Sequence, residues 1–141
     1  MEEFTEYIYV TKADINEGFS TGTVSKSAIF FTKNYIFTLP FDSVNVFGGE
    51  GIDQKYKSVH EYVNELMKRI KETHIEDFEN EMKSVLPEDN VFVVNELEKI
   101  EIKVGFGPFG GMAVKKKGKE RKAINIQPKE TRQKIKDFYK M

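Results

Sequence analysis

The segment Glu98-Lys99-Ile100-Glu101-Ile102-Lys103-Val104, followed by Gly105-Phe106-Gly107-Pro108-Phe109-Gly110-Gly111 and then Met112-Ala113-Val114, decides the fold class. The first part alternates with period two and predicts a strand. The glycine-rich part breaks it, and Met112-Ala113-Val114 restarts an extended segment. Lys115 onward continues as a basic strand, a tight turn, a further strand and a closing helix that begins at Pro128, where proline suits a first helical turn. That helix is expected to present Ile135, Phe138 and Tyr139 inward.

Moving toward the N-terminus, Phe4–Val10 reads as a first strand, followed by a polar, turn-rich stretch from Thr11 to Gly22. Ala28–Thr32 and Tyr35–Leu39 read as a hairpin around Lys33-Asn34, with Asn34 expected at positive φ. Pro40 is expected to end the return strand, and Val44–Phe47 to form a fourth. The period then changes. Val59, Tyr62, Val63, Leu66, Met67 and Ile70 share one helix face, and a second helix is predicted over His74–Leu86 with Ile75, Phe78, Met82 and Val85 inward. Ser58 with Glu61, and Thr73 with Glu76, have capping-box spacing, and Pro87 stops the second helix.

Composition bounds the chemistry. The 141 residues suit one domain with a real core, and twelve Phe and six Tyr favour a sheet. The absence of Cys excludes disulfides and thiolate chemistry and points to a reducing, cytoplasmic setting. An acidic N-terminus and the lack of a long apolar run argue against a signal peptide or a membrane span. The net charge of −1 is unevenly spread: residues 112–141 hold eleven basic and three acidic side chains, so this end carries +8 and residues 1–111 carry −9.

Candidate catalytic patterns are weak. Gly105, Gly107 and Gly110 match GxGxxG, but the loop is followed by a strand rather than the helix that a dinucleotide site requires, so a glycine-rich hairpin turn is the better reading. The two histidines, His60 and His74, fall in first turns of helices with no ligand spacing. Glu76, Asp77, Glu79 and Glu81 read as a wet helix face. No cofactor or metal is expected. The densest signal is Lys115, Lys116, Lys117, Lys119, Arg121 and Lys122, read either as charges protecting an edge strand or as a site for an anionic surface. Aromatic residues are not interleaved among them, which disfavours nucleic acid. Phe106 and Phe109, flanking Pro108, form a second candidate contact: two rings that a turn does not need must either join the core or anchor a partner protein or a second copy of the chain.

Seven strands closed by a terminal helix resemble the pleckstrin-homology-like fold, particularly the small bacterial PH-like and GRAM-like domains. The resemblance is carried by Lys26–Leu39 and Leu97–Met141. It implies an α+β, partly open barrel of about seven antiparallel strands, plugged by the helix from Pro128 to Lys140, with residues 58–86 as a helical insertion in a single domain of residues 1–141. It further implies a non-enzymatic binding module for a protein partner or an anionic lipid surface. Three features differ from the eukaryotic family: Thr11–Gly22 holds only Lys12 against Asp14 and Glu17, the terminal helix has Phe138 where Trp is usual, and the insertion is longer than a loop. The rival architecture is a two-layer α+β sandwich. The rival function is a small enzyme or small-ligand protein with a pocket between the middle helices and the sheet.

Overall fold

The computed structural model describes residues 7–16, 23–45, 61, 64–65, 74–105 and 111–140. The first middle helix lies almost wholly outside these residues. Seven strands form one antiparallel sheet: β1 (Tyr7–Asn16), β2 (Thr23–Thr32), β3 (Tyr35–Asn45), β4 (Val91–Val93), β5 (Leu97–Lys103), β6 (Gly111–Lys116) and β7 (Lys122–Asn125). Two helices accompany them, α1 (Ile75–Val85) and α2 (Lys129–Phe138). The strand order is β4-β3-β2-β1-β7-β6-β5, an α+β arrangement with β4 and β5 at the two edges.

That order has a geometric consequence. Laid flat, seven strands at about 4.8 Å spacing would separate the edges by roughly 29 Å. Only Val94–Glu96, a single 3-10 turn, joins β4 to β5, and the chain from Val93 to Leu97 reaches at most about 14 Å. The sheet must therefore curl. Its concave face encloses a cluster to which every strand contributes, including Ile15 of β1, Phe31 of β2, Ile36 of β3, Phe92 of β4, Ile102 of β5, Val114 of β6 and Ile124 of β7, with Ile135 and Phe138 of α2 closing it.

A second cluster lies on the opposite face of β2 and β3. Ala28, Phe30, Phe37 and Leu39 meet Phe78, Met82 and Leu86 from α1 and the residue that follows it. Phe78 is the centre, edge-on to Phe30 at 5.5 Å and to Phe37 at 6.5 Å between ring centroids. The run Ala28-Ile29-Phe30-Phe31 is thus apolar at every position because both of its faces are covered, the odd ones by the concave core and the even ones by α1. The inward positions expected for both helices are found: Phe78, Met82 and Ile135 are fully buried, and Ile75, Val85 and Tyr139 pack at the margins.

Several expectations are corrected. β1 does not end at Val10 but runs to Asn16, because a bulge at Thr11-Lys12 moves its inward side chains from Ile8 and Val10 to Ala13 and Ile15. β3 continues through Pro40, which sits where the pairing with β2 slips and beyond the reach of β4, so its missing N–H breaks no ladder there. Among the described residues three strands precede the helical segment; of the expected fourth, Val44 and Asn45 belong to β3, and residues 46–47 lie outside the described residues. β4 follows the helical segment. Asn34 keeps a negative φ, since among the described residues only Gly105, Gly118 and Lys140 have positive values. The hairpin corner is held instead by the Thr32 hydroxyl, which accepts the Tyr35 N–H at 3.0 Å. His74 is the N-cap of α1 and makes no side-chain cap bond; Thr73, of the expected capping box, lies outside the described residues.

Candidate functional site

The basic residues lie on the β6–β7 hairpin, whose turn Lys116-Lys117-Gly118-Lys119 is closed by a Lys119 N–H to Lys116 C=O bond of 3.1 Å. Gly118, at φ +75°, occupies a conformation that a side chain disfavours. β6 pairs with β5 on one side and β7 on the other, so the reading of these lysines as guards of an exposed edge does not hold.

Strand alternation divides the run. Lys115 points to the outer face and forms an ion pair with Glu98 across the β5–β6 ladder. Arg121, on the same face, lies 3.9 Å from Glu101. Lys116 points the other way: its Nζ donates to the Glu88 carbonyl at 2.8 Å and stands 4.8 Å from the centre of the Phe92 ring. Lys122 joins it, 5.4 Å from that centre, and contacts the Asp89 carbonyl at 3.5 Å. Burial lowers the pKa of Lys116 below its ordinary value, opposed by Asp89 and Glu88 and reinforced by Lys122 and Lys119. Lys117 and Lys119 occupy the tip and are exposed. The hairpin therefore gathers all the basic residues singled out in the sequence, but presents them as an outer pair, an inner pair held on Phe92, and an exposed tip. Phe106 and Phe109 lie outside the described residues; the strands they connect, β5 and β6, pair up to Lys103 and Gly111 as the hairpin reading expects.

The outer face of β5, β6, β7 and β1 carries small residues between polar ones. Cross-strand partners place Glu101, Ala113, Ala123 and Asn16 in one row, and Lys103 with Gly111, and Asn125 with Asp14, in the next. The resulting groove is about 380 Å³. Among the described residues the Asp14 Oδ1, at the lining of this groove, is buried without a hydrogen-bond partner. A second concavity, about 410 Å³, opens between the β2–β3 corner, α1 and the turn after β4, lined by Asn34, Tyr35, Glu76, Glu79, Asn80 and Asn95.

Two charged residues escaped the sequence reading. Glu79 is not on the wet face of α1 but is 4% exposed, and its Oε2 accepts the Thr32 hydroxyl proton at 2.8 Å. The signal was present, because position 79 is four residues after Ile75 and three before Met82, on the apolar stripe. Burial, and secondarily the Glu79 charge, raise the pKa of the Tyr139 phenol, which donates to the Thr32 carbonyl at 2.7 Å. Arg132 is fully buried. It donates to the carbonyls of Val104 and Ile126 at 2.7 Å each, of Gly105 at 3.1 Å, and to the Gln127 side chain at 3.1 Å, tying α2 to the base of the glycine-rich turn. Its position carried the same kind of signal, three residues before Ile135 and seven before Tyr139 on the inward stripe, but the partners that accept its bonds come from other segments.

No protein-family model matches the chain, and neither does any curated protein or solved structure. Among the described residues no helix is long and apolar enough to cross a membrane, and no group of three or more His, Cys, Asp or Glu side chains gathers as a metal site.

Proposed function

We propose that the chain is a non-enzymatic binding module of pleckstrin-homology-like architecture that docks on an anionic lipid surface through the β6–β7 hairpin. The architectural part is supported by the strand order, in which a meander curls until its edges β4 and β5 meet at a three-residue turn, and by a C-terminal helix that closes the concave core. The observation that carries the functional part is the hairpin itself. Six basic side chains project from the fifteen residues Gly111–Asn125, with Lys117 and Lys119 exposed at the turn.

The electrostatics favour a surface over a compact ligand. Lys115 and Arg121 already face Glu98 and Glu101, and Lys116 and Lys122 are engaged at Phe92, so among the described residues no convergent pocket of cations surrounds a single phosphate. A dispersed field is what a charged bilayer reads, with about 1 kcal/mol per basic residue close to the surface. The test is co-sedimentation with vesicles containing phosphatidylserine. Lys117→Glu combined with Lys119→Glu should weaken binding at least ~30-fold, equivalent to about 2 kcal/mol, and wild-type binding should fall as salt rises. Equal binding by the double variant would sink the proposal, as would absence of binding by the wild type at low salt.

A further inference from the structure

We propose that the concavity beside α1 is a binding site for a cationic nitrogen, an alkylammonium or guanidinium head, with Glu79 as its counter-charge. The site is independent of the basic hairpin and lies against the β2–β3 corner.

The argument starts from Glu79. A carboxylate that is 4% exposed ordinarily has a cation or several donors beside it. Among the described residues no Lys, Arg or His pairs with Glu79, and Thr32 supplies the hydrogen bond it receives. The side chain nevertheless lines an open concavity of about 410 Å³, the size of a small-molecule site. Glu76, one turn earlier on α1, adds a second carboxylate at the rim, and the Asn34, Asn80 and Asn95 carboxamides add neutral acceptors. Two lysines of the flanking elements are turned to other tasks. Lys83 donates to the Tyr35 hydroxyl at 3.0 Å and stands over its ring, and Lys33 donates to the Phe138 carbonyl while standing 3.9 Å from the centre of the Phe138 ring.

Among the described residues the lining is thus acidic and acceptor-rich, with no cation of its own. Among the described residues no third acidic or His side chain joins Glu76 and Glu79 in a metal-ligating group, whereas one ammonium or one guanidinium fork is matched by a buried carboxylate flanked by carboxamide oxygens. Such a head could arrive on a free small molecule or on the side chain of a short peptide.

The test is titration of the full chain with agmatine, n-butylammonium, n-butanol, calcium and the capped tripeptide acetyl-Gly-Arg-Gly-amide, followed by amide and carboxamide NMR shifts. The cationic probes should shift Asn80 and Asn95 and the α1 amides, and n-butanol should not. Glu79→Gln should weaken agmatine binding at least tenfold. If that variant does not fold, Glu76→Gln and Asn80→Lys, at exposed positions, keep the question open to measurement: the first should weaken binding several-fold and the second, by placing a tethered ammonium in the site, should abolish it. Tighter binding of the tripeptide than of agmatine would identify a peptide side chain as the source, and the reverse a free amine. Equal shifts with n-butanol, saturation by calcium but not by amines, or no shift with any cationic probe would each overturn the proposal.

Discussion

The β2–β3 hairpin and the β5–β7 meander belong to one sheet but are covered differently. In the hairpin, Ala28 through Phe31 and Ile36 with Phe37 are buried whichever way they point, because the concave core takes one face and α1 the other. In the meander the concave face is sealed, and the outer face, among the described residues, opens as a groove. Its outer face keeps Lys99, Glu101, Lys103 and Arg121 around a floor of Gly111, Ala113 and Ala123. A strand buried on both sides has no surface left with which to recognise anything, so its sequence answers to packing alone. A strand buried on one side can vary its outer residues at little cost in stability. The two regions therefore differ: the body of the hairpin, covered by α1, holds the shape, its corner at Asn34-Tyr35 lines a concavity, and the meander carries charge on its outer face.

The sharpest way to break that division is Phe30→Ala. Its ring stacks on Tyr9 at 4.5 Å and meets Phe78 edge-on, so its loss empties the joint between sheet and α1. A cost of about 3–5 kcal/mol is expected in urea unfolding. A loss below ~1 kcal/mol would mean that α1 is not docked on the sheet. Arg132→Met comes next. It leaves the Val104, Gly105 and Ile126 carbonyls without the donors they now have, with the Ile126 bond buried and the Val104 and Gly105 bonds partly exposed, and should cost about 1–3 kcal/mol by the same measurement. Arg132→Lys should recover only part of this, because one ammonium cannot reproduce the planar fork.

Tyr139 offers a smaller, pH-dependent effect. Its folded pKa is raised, by burial first and by Glu79 second, above the ordinary value of 10.0. Above that pH the unfolded chain loses the phenol proton while the folded chain keeps it. The folded state then binds more protons, so its stability is complete below pH ~10 and declines above it by up to about 1.4 kcal/mol per pH unit. Tyr9 is raised as well, so the comparison must be with Tyr139→Phe, which retains Tyr9. The variant should be less stable than wild type at pH 8, for want of the bond to the Thr32 carbonyl, and should show a shallower decline in melting temperature between pH 10 and 11. Parallel declines would show that Tyr139 titrates freely.

Much of this division was legible in the sequence. Alternation in Glu98–Val104, the continuous apolar run at Ala28–Phe31 and the 3.6-residue stripes of α1 and α2 each identify the element and its inward side chains. What escaped had local causes. The bulge in β1 reverses the phase of alternation at Thr11-Lys12, so a strand of ten residues reads as one that stops at Val10. β4 is three residues long, too short for any period. Pro40 reads as a terminator because the sequence does not reveal that β4 pairs only with Tyr35–Phe37. The candidate sites were legible in type but not in arrangement: the basic run was plain, yet its partners Glu98, Glu101 and Phe92 come from strands distant in sequence. Arg132 illustrates the limit, since the carbonyls that accept its bonds come from two other segments, Val104-Gly105 and Ile126.

The smallest expected change in stability separates the two halves most cleanly. Glu98 is exposed and forms its ion pair with Lys115 on the outer face of the meander. Exposed pairs of this kind contribute roughly 0–1 kcal/mol, because water screens the attraction and two long side chains must be held in place. Glu98→Gln should therefore shift urea unfolding by no more than about 0.5 kcal/mol. It also removes a negative charge from beside Lys115 and leaves the hairpin's field stronger. If the meander is the charged working face, the variant should bind anionic vesicles more tightly than wild type, with a steeper dependence on salt. Stability and binding would then move independently, which no substitution among Phe30, Phe37 and Phe78 could achieve. A variant as stable as wild type that binds vesicles no better would show that Lys115 takes no part in surface contact and would confine the working charge to the turn at Lys117 and Lys119.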